Sequence, residues 1–165
     1  MIRPARPREI RLLPQIENAA DRRFARVGLQ LVVDMPGHSI AALEHGRRHG
    51  LLWVATSPRG YVVGFALMEI TRGIALIDQL SVLDRWQGQG FGTALIERCA
   101  ATARTLGHAS LHLTTYRDVA WNKPFYARRG FTEVARGAMD RTLRVEFLAG
   151  VIHGHPVWRR ALMRR

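Results

Sequence analysis

Residues 80–97 read LSVLDRWQGQGFGTALIE. A strand-like run at Leu80-Ser81-Val82 meets a short polar stretch, then Gly88, Gly90 and Gly92, then helical spacing. Glycine in a helix costs about 1 kcal/mol against alanine. Three glycines in five positions at a helix start therefore mark a place where the backbone itself is used. The first N–H groups of a helix have no intrahelical acceptor, and the helix dipole adds partial positive charge there. A phosphate that can approach closely is bound by such a turn. The competing reading is a tight strand-to-helix turn with no ligand.

Two common phosphate motifs fail against these residues. A dinucleotide fingerprint needs G-x-G-x-x-G, and Thr93 stands where the third glycine belongs. A P-loop needs a glycine directly before Lys-Ser/Thr. The chain's single lysine, Lys123, follows Asn122.

Working outward, Leu51, Tyr61 and Ile74 each open a strand-like segment (LLWVATS, YVVGFALMEI, IALIDQLSVL), the first two joined by a Ser57-Pro58-Arg59-Gly60 turn. Three strands in hairpin connection are antiparallel. Upstream, Ile2 to Arg6 reads as a strand and Leu12 to Arg26 as a helix. Met35-Pro36-Gly37 marks a loop, and Ser39 caps a helix to Arg48. Downstream of the glycine-opened helix, SLHLTTY is a strand, Pro124 to Arg129 a helix and FTEVAR a strand. Asp140 caps a helix to Ala149, and a last strand spans Val157 to Met163. The order β-α-α-β-β-β-α-β-α-β-α-β predicts a mixed α/β fold. Its central sheet has about six or seven mostly antiparallel strands flanked by helices.

The 165 residues fit one domain spanning 1–165. The formal charge is +12, almost all from arginine. A basic surface suits nucleic acid, a membrane or an anionic cofactor. Arginine spread along the whole chain, with no concentrated basic block, favours solvated surface and no specific nucleic acid. Cys99 is the only cysteine, so no internal disulfide forms, and it falls on the apolar face of a helix as a buried thiol. No apolar run reaches the roughly 20 residues of a membrane span, and the N-terminal residues lack a signal-peptide core. The expectation is a cytoplasmic protein without a membrane partner.

The pattern Gln87-Gly88-Gln89-Gly90-Phe91-Gly92 does match a third signature, Q/R-x-x-G-x-G/A. It resembles the acyl-CoA-binding motif of the GCN5-related N-acetyltransferases, and residues 80–97 resemble that family's motif A with its strand. NKPFYARRGF, some 35 residues later, resembles the second motif, ending in Tyr126, Gly130 and Phe131. The family often has asparagine seven residues before the tyrosine and a small residue four before it. Here Val119 and Asn122 stand there. Asn122 reads either as a coenzyme contact or as the cap of the helix opened by Pro124.

The resemblance implies acetyl-CoA as co-substrate, no metal, and direct attack by an amine in a ternary complex. Gln87, Gly88, Gln89, Gly90, Phe91, Gly92 and Thr93 would hold the pyrophosphate. Leu80, Ser81 and Val82 would carry the pantetheine arm along a splayed strand edge, with Asn122 and Phe125 beside it. Tyr126 would be the acid for the leaving thiolate. Asp78 and Glu69, on the central strands, are the candidate bases, acting directly or through water. The acceptor is read as a primary amine on a small molecule. A protein N-terminus or lysine is the alternative acceptor, and a non-catalytic acyl-CoA sensor the alternative class. Many relatives pair through sheet or helix edges, so a homodimer is one expectation. His45 and His49 read as a surface pair, His153 and His155 as loop residues, and Trp121 as packing or as a wall of the acceptor pocket.

Overall fold

The apolar run at Phe65-Ala66-Leu67-Met68 alternates between two cores. Phe65 and Leu67 pack with Leu13, Ile16 and Leu43, while Ala66 and Met68 pack with Leu95, Ile96 and Cys99. A strand buried on both faces needs no polar alternation, which is why this segment reads as continuous hydrophobe. The computed structural model, which describes residues 1–152 and 154–165, places that strand inside one seven-stranded sheet. His153 lies outside the described residues.

The strands are β1 (Ile2–Pro4), β2 (Leu52–Thr56), β3 (Val62–Thr71), β4 (Ile74–Val82), β5 (Leu111–Tyr116), β6 (Thr132–Glu133) and β7 (Arg160–Arg164), in spatial order β1-β2-β3-β4-β5-β7-β6. All neighbours are antiparallel except β4 and β5. The expected mixed, mostly antiparallel sheet is thus present, with the last strand inserted beside β5. The helices are α1 (Leu13–Asp21), α2 (Gln30–Asp34), α3 (Ile40–Arg48), α4 (Phe91–Thr105), α5 (Lys123–Ala127) and α6 (Arg141–Ile152). The first helical region is broken up: 3₁₀ turns at Pro7–Leu12 and Arg22–Val27 flank α1, and the short α2 occupies part of the expected irregular stretch. FTEVAR yields only the two residues of β6. Ser39 Oγ accepts from Ala42 N at 3.1 Å and Asp140 Oδ1 from Leu143 N at 2.8 Å, so both expected caps are formed.

Two features of β4 position the site. β4 pairs with β5 only at Ala75, Leu76 and Ile77, after which the two strands part. Against β3 the register shifts: Met68 faces Ile77 and Leu67 faces Gln79, which leaves Asp78 as an extra residue. A bulge of this kind bends the strand and re-aims its side chains. Here it helps turn Asp78 toward the loop after α2.

In that loop, His38 is held from three sides. Its Nδ1 lies 2.8 Å from Glu17 Oε1, its Nε2 lies 2.9 Å from Asp78 Oδ2, and its backbone N–H donates to Glu17 Oε2 at 2.9 Å. Gln79 Nε2 adds a bond to Glu17 Oε1 at 2.9 Å. Burial opposes charging of the imidazole, but the Asp78 and Glu17 carboxylates outweigh it and push its pKa up to about 10. The stabilisation is fully present below the unfolded pKa of about 6.5 and is lost as pH rises through 10. We expect His38→Ala, which leaves Glu17 buried without its cation, to cost about 3 kcal/mol in urea unfolding near pH 7. The gap from wild type should narrow as pH is raised toward 10.

Candidate active site

The first turn of α4 begins at Gly90, whose φ of +85° is left-handed, and no side chain caps it. The N–H groups of Phe91, Gly92 and Thr93 therefore have no helical acceptor. Gly88 and Gly90 both sit at positive φ with open space where a Cβ would go. Backbone conformation, not crowding, selects glycine there. Gly92 differs: a Cβ on it would meet Phe125 Cζ at 3.0 Å, so its glycine lets α5 close on α4.

This turn floors a cleft of about 400 Å³. Gln87, Gly88, Gly90, Gly92 and Thr93 line one side, Leu80 and Val82 the parted edge of β4, and Trp121, Asn122, Phe125 and Tyr126 the far wall. Arg128 and Arg129 lie at the α5 end. Ala20, Asp21, Arg23 and Phe24 close the cleft from the end of α1 and the turn after it.

Local bonds explain how this shape is held. Gln87 Nε2 donates to Val82 O at 2.9 Å and Asp84 Oδ1 at 3.1 Å, its Oε1 accepts from Arg23 Nη1, and together these fix the exit of β4. Arg23 also lies over the Trp121 ring at 4.3 Å. Arg129 bonds Thr93 Oγ1 at 2.8 Å and Phe125 O at 2.6 Å, and stacks on Phe125 at 3.6 Å, so it pins α5 to the start of α4. Leu83 N donates to Val63 O on β3. Successive N–H groups of a strand alternate sides, so the Val82 N–H points into the cleft.

Tyr126 lies edge-on to Phe125 and Phe131, at 5.1 and 6.0 Å. Burial pushes its phenol up to about 12, and its hydroxyl has no hydrogen-bond partner among the described residues. Asn122 reaches the cleft and also occupies the expected N-cap position of α5, its carbonyl accepting from Tyr126 N at 3.2 Å, but its side chain makes no capping bond.

Other sequence-derived candidates fall elsewhere. Ser81 is buried with its Oγ unpartnered, away from the cleft lining. Gln89 Nε2 bonds Arg85 O at 3.0 Å, and Phe91 packs edge-on against Trp86 at 5.9 Å, so both support the turn from behind. Asp78 and Glu69 line a second cavity of about 480 Å³ with His45 and His49, not the cleft of Tyr126. Burial raises the Glu69 pKa, with Asp78 and Glu146 adding to it. His49 Nδ1 donates to His45 O at 2.8 Å, and the two rings stack at 4.1 Å. No cluster of three metal-ligating side chains occurs among the described residues. Cys99 is buried, and burial pushes its thiol up to about 12. His155 lies in the loop before β7, bonded to the Tyr116 hydroxyl. No helix among the described residues is long and apolar enough to cross a membrane.

Sequence reasoning missed Asp21, Arg23, Phe24, Arg128 and Arg129. The two arginines after Tyr126 carry no spacing signal, and the α1 side reaches the cleft only through the tertiary fold.

Residues 48–133 match the family model of the acetyltransferase (GNAT) domain. The whole fold is similar to that of a Mycobacterium tuberculosis protein solved in complex with CoA and NLQ (22% identity, 99% of this chain and 97% of that one, TM-score 0.71). It is similar to a GNAT-family acetyltransferase from Staphylococcus aureus (13% identity, 100% and 97%, TM-score 0.74). N-acetylglutamate synthase from Neisseria gonorrhoeae, complexed with coenzyme A and N-acetyl-glutamate, matches at 18% identity over 100% of this chain but 34% of that one, with a TM-score of 0.72. The chain belongs to the GNAT acetyltransferase family. It is an N-acetyltransferase that takes its acetyl group from acetyl-CoA.

Proposed function

We propose that the cleft transfers the acetyl group of acetyl-CoA to a primary amine of a small molecule, by direct attack in a ternary complex. The observation that carries this reading is the cleft itself. Bare N–H groups at the start of α4, the unpaired edge of β4 and Tyr126 face one space. Two neighbours solved with coenzyme A, one of them also with N-acetyl-glutamate, favour a coenzyme site and a small acetylated amine.

Acetyl-CoA supplies an activated thioester; the remaining chemistry belongs to the side chains and backbone. The N–H groups of Gly92 and Thr93 and the guanidinium of Arg128 suit the pyrophosphate. The edge of β4 at Leu80 and Val82 suits an extended amide-bearing arm that adds like a strand. The inward Val82 N–H donates to the thioester oxygen as negative charge develops there. Tyr126 keeps its proton at neutral pH and donates to the leaving sulfur. Chain 1–165 is read as one catalytic domain.

Calorimetry with acetyl-CoA, NADH and ATP at two salt concentrations tests the coenzyme site. We expect acetyl-CoA alone to bind in a way that survives added salt. Equal, salt-sensitive binding of all three would reduce the cleft to non-specific attraction by a basic protein. Thiol release with L-glutamate, spermidine, tyramine and a tripeptide bearing a free N-terminus then sorts small-molecule from protein-type acceptors. Binding without turnover of any of them would favour an acyl-CoA sensor.

A further inference from the structure

We propose that Asp21 is the base that deprotonates the amine acceptor, a role that rests on the acetyl-transfer reading of the cleft. Asp21 closes α1 and lines the same cleft as Tyr126 and Val82, together with the aromatic rings of Phe24 and Trp121. Arg23 already lies over the Trp121 ring at 4.3 Å, so it is the Phe24 ring beside the carboxylate that suits an incoming ammonium group. Its carboxyl makes no hydrogen bond or ion pair among the described residues, so it is free to accept a proton. Asp78 is already committed to His38 at 2.9 Å and faces the other cavity with Glu69. Asp21 also stands where the helix dipole disfavours a carboxylate, at the C-terminal end of α1. A residue placed against local preference in a substrate-sized cleft is a mark of function.

The charged surroundings of Asp21 set its proton affinity. Burial raises its pKa most, and Glu17, one turn earlier on α1, adds to it. His38, from the loop before α3, and Arg23, from the turn after α1, oppose it. Asp78 on β4 lies behind His38, while Tyr126 on α5 and Arg128 and Arg129 beyond it face the same cleft. The balance pushes Asp21 up to about 7, where a base works best at neutral pH.

The ammonium gives one proton to an Asp21 carboxylate oxygen, which passes it to solvent. The freed lone pair forms the C–N bond to the acetyl carbon, and the C–S bond breaks with its electron pair on sulfur. The sulfur takes a proton from Tyr126, and the phenolate recovers the second proton shed by nitrogen.

Asp21→Asn separates this role from a structural one. We expect kcat/KM to fall roughly 100-fold with any of the four amines that turns over. The ascending limb of its pH profile near 7 should disappear while acetyl-CoA affinity by calorimetry is unchanged. A desolvated carboxylate with a raised folded pKa destabilises the fold once ionised. The neutral amide of Asp21→Asn should therefore raise Tm by roughly 3–5 °C near pH 8, where loss of a structural ion pair would lower it. The carboxyl ¹³C titration of Asp21, followed by NMR in the coenzyme A complex, needs no acceptor and should show a midpoint near neutrality. A midpoint in the ordinary aspartate range, or an unchanged rate and pH profile in a variant that still binds acetyl-CoA, overturns the assignment alone. Failure of the wild type to bind acetyl-CoA overturns the cleft reading and this role with it.

Discussion

We expect Tyr126→Phe to lower kcat roughly 100- to 1,000-fold and to leave the dissociation constant for acetyl-CoA unchanged. The ring is wedged between Phe125 and Phe131, so the variant keeps its packing and loses only a hydroxyl that bonds no other described residue. In the proposed role of acid, a phenol whose proton stays on to about pH 12 matters only when a thiolate develops beside it. Its loss should therefore appear in kcat, not in ground-state binding. Single-turnover kinetics with saturating acetyl-CoA measures this directly. Undiminished turnover would move the acid to another group or to water.

The second large effect is expected at the glycine turn. Gly90→Val forces a β-branched residue to a φ of +85°, which costs about 2 kcal/mol of stability. It also puts a side chain into open space beside the start of α4, and we expect acetyl-CoA affinity to fall at least roughly 100-fold, or about 2.8 kcal/mol. Gly107 is the control. It lies just past the other end of the same helix at a φ of +83°, with nothing within 4 Å of a Cβ. Gly107→Val should carry a similar strain and leave affinity intact. Equal affinity loss in the two variants would tie the effect to destabilisation and not to the anion site.

The turn shows why this region is legible in the sequence. Its demands are local: positive φ at Gly88 and Gly90, a bare backbone at the helix start, and a strand before it. Local demands leave residue-type signals at fixed spacing. The same holds for the caps at Ser39 and Asp140 and for Cys99 on the apolar face of α4. Glu69 and Asp78 look equally suitable as bases in the sequence because carboxylates on central strands carry no sign of which cavity they face. A one-residue bulge on β4 helps turn Asp78 toward His38, and no pattern in IALIDQLSVL marks it.

By itself, the sequence determined the seven strand positions, the main helices and the glycine turn at the start of α4, though not α2 or the 3₁₀ turns around α1, together with the placement of Tyr126 on a short helix opened by Pro124. Each follows from backbone preferences and hydrophobic period within a few residues. The tertiary structure decided the insertion of β7 between β5 and β6, the parting of β4 from β5 after three residue pairs, and the meeting of Asp21 with Tyr126 across one cleft. Those two residues are 105 positions apart, and only long-range packing of α1 against the sheet brings them to the same space. That is why the base proposed here carried no sequence signal while the glycine turn did.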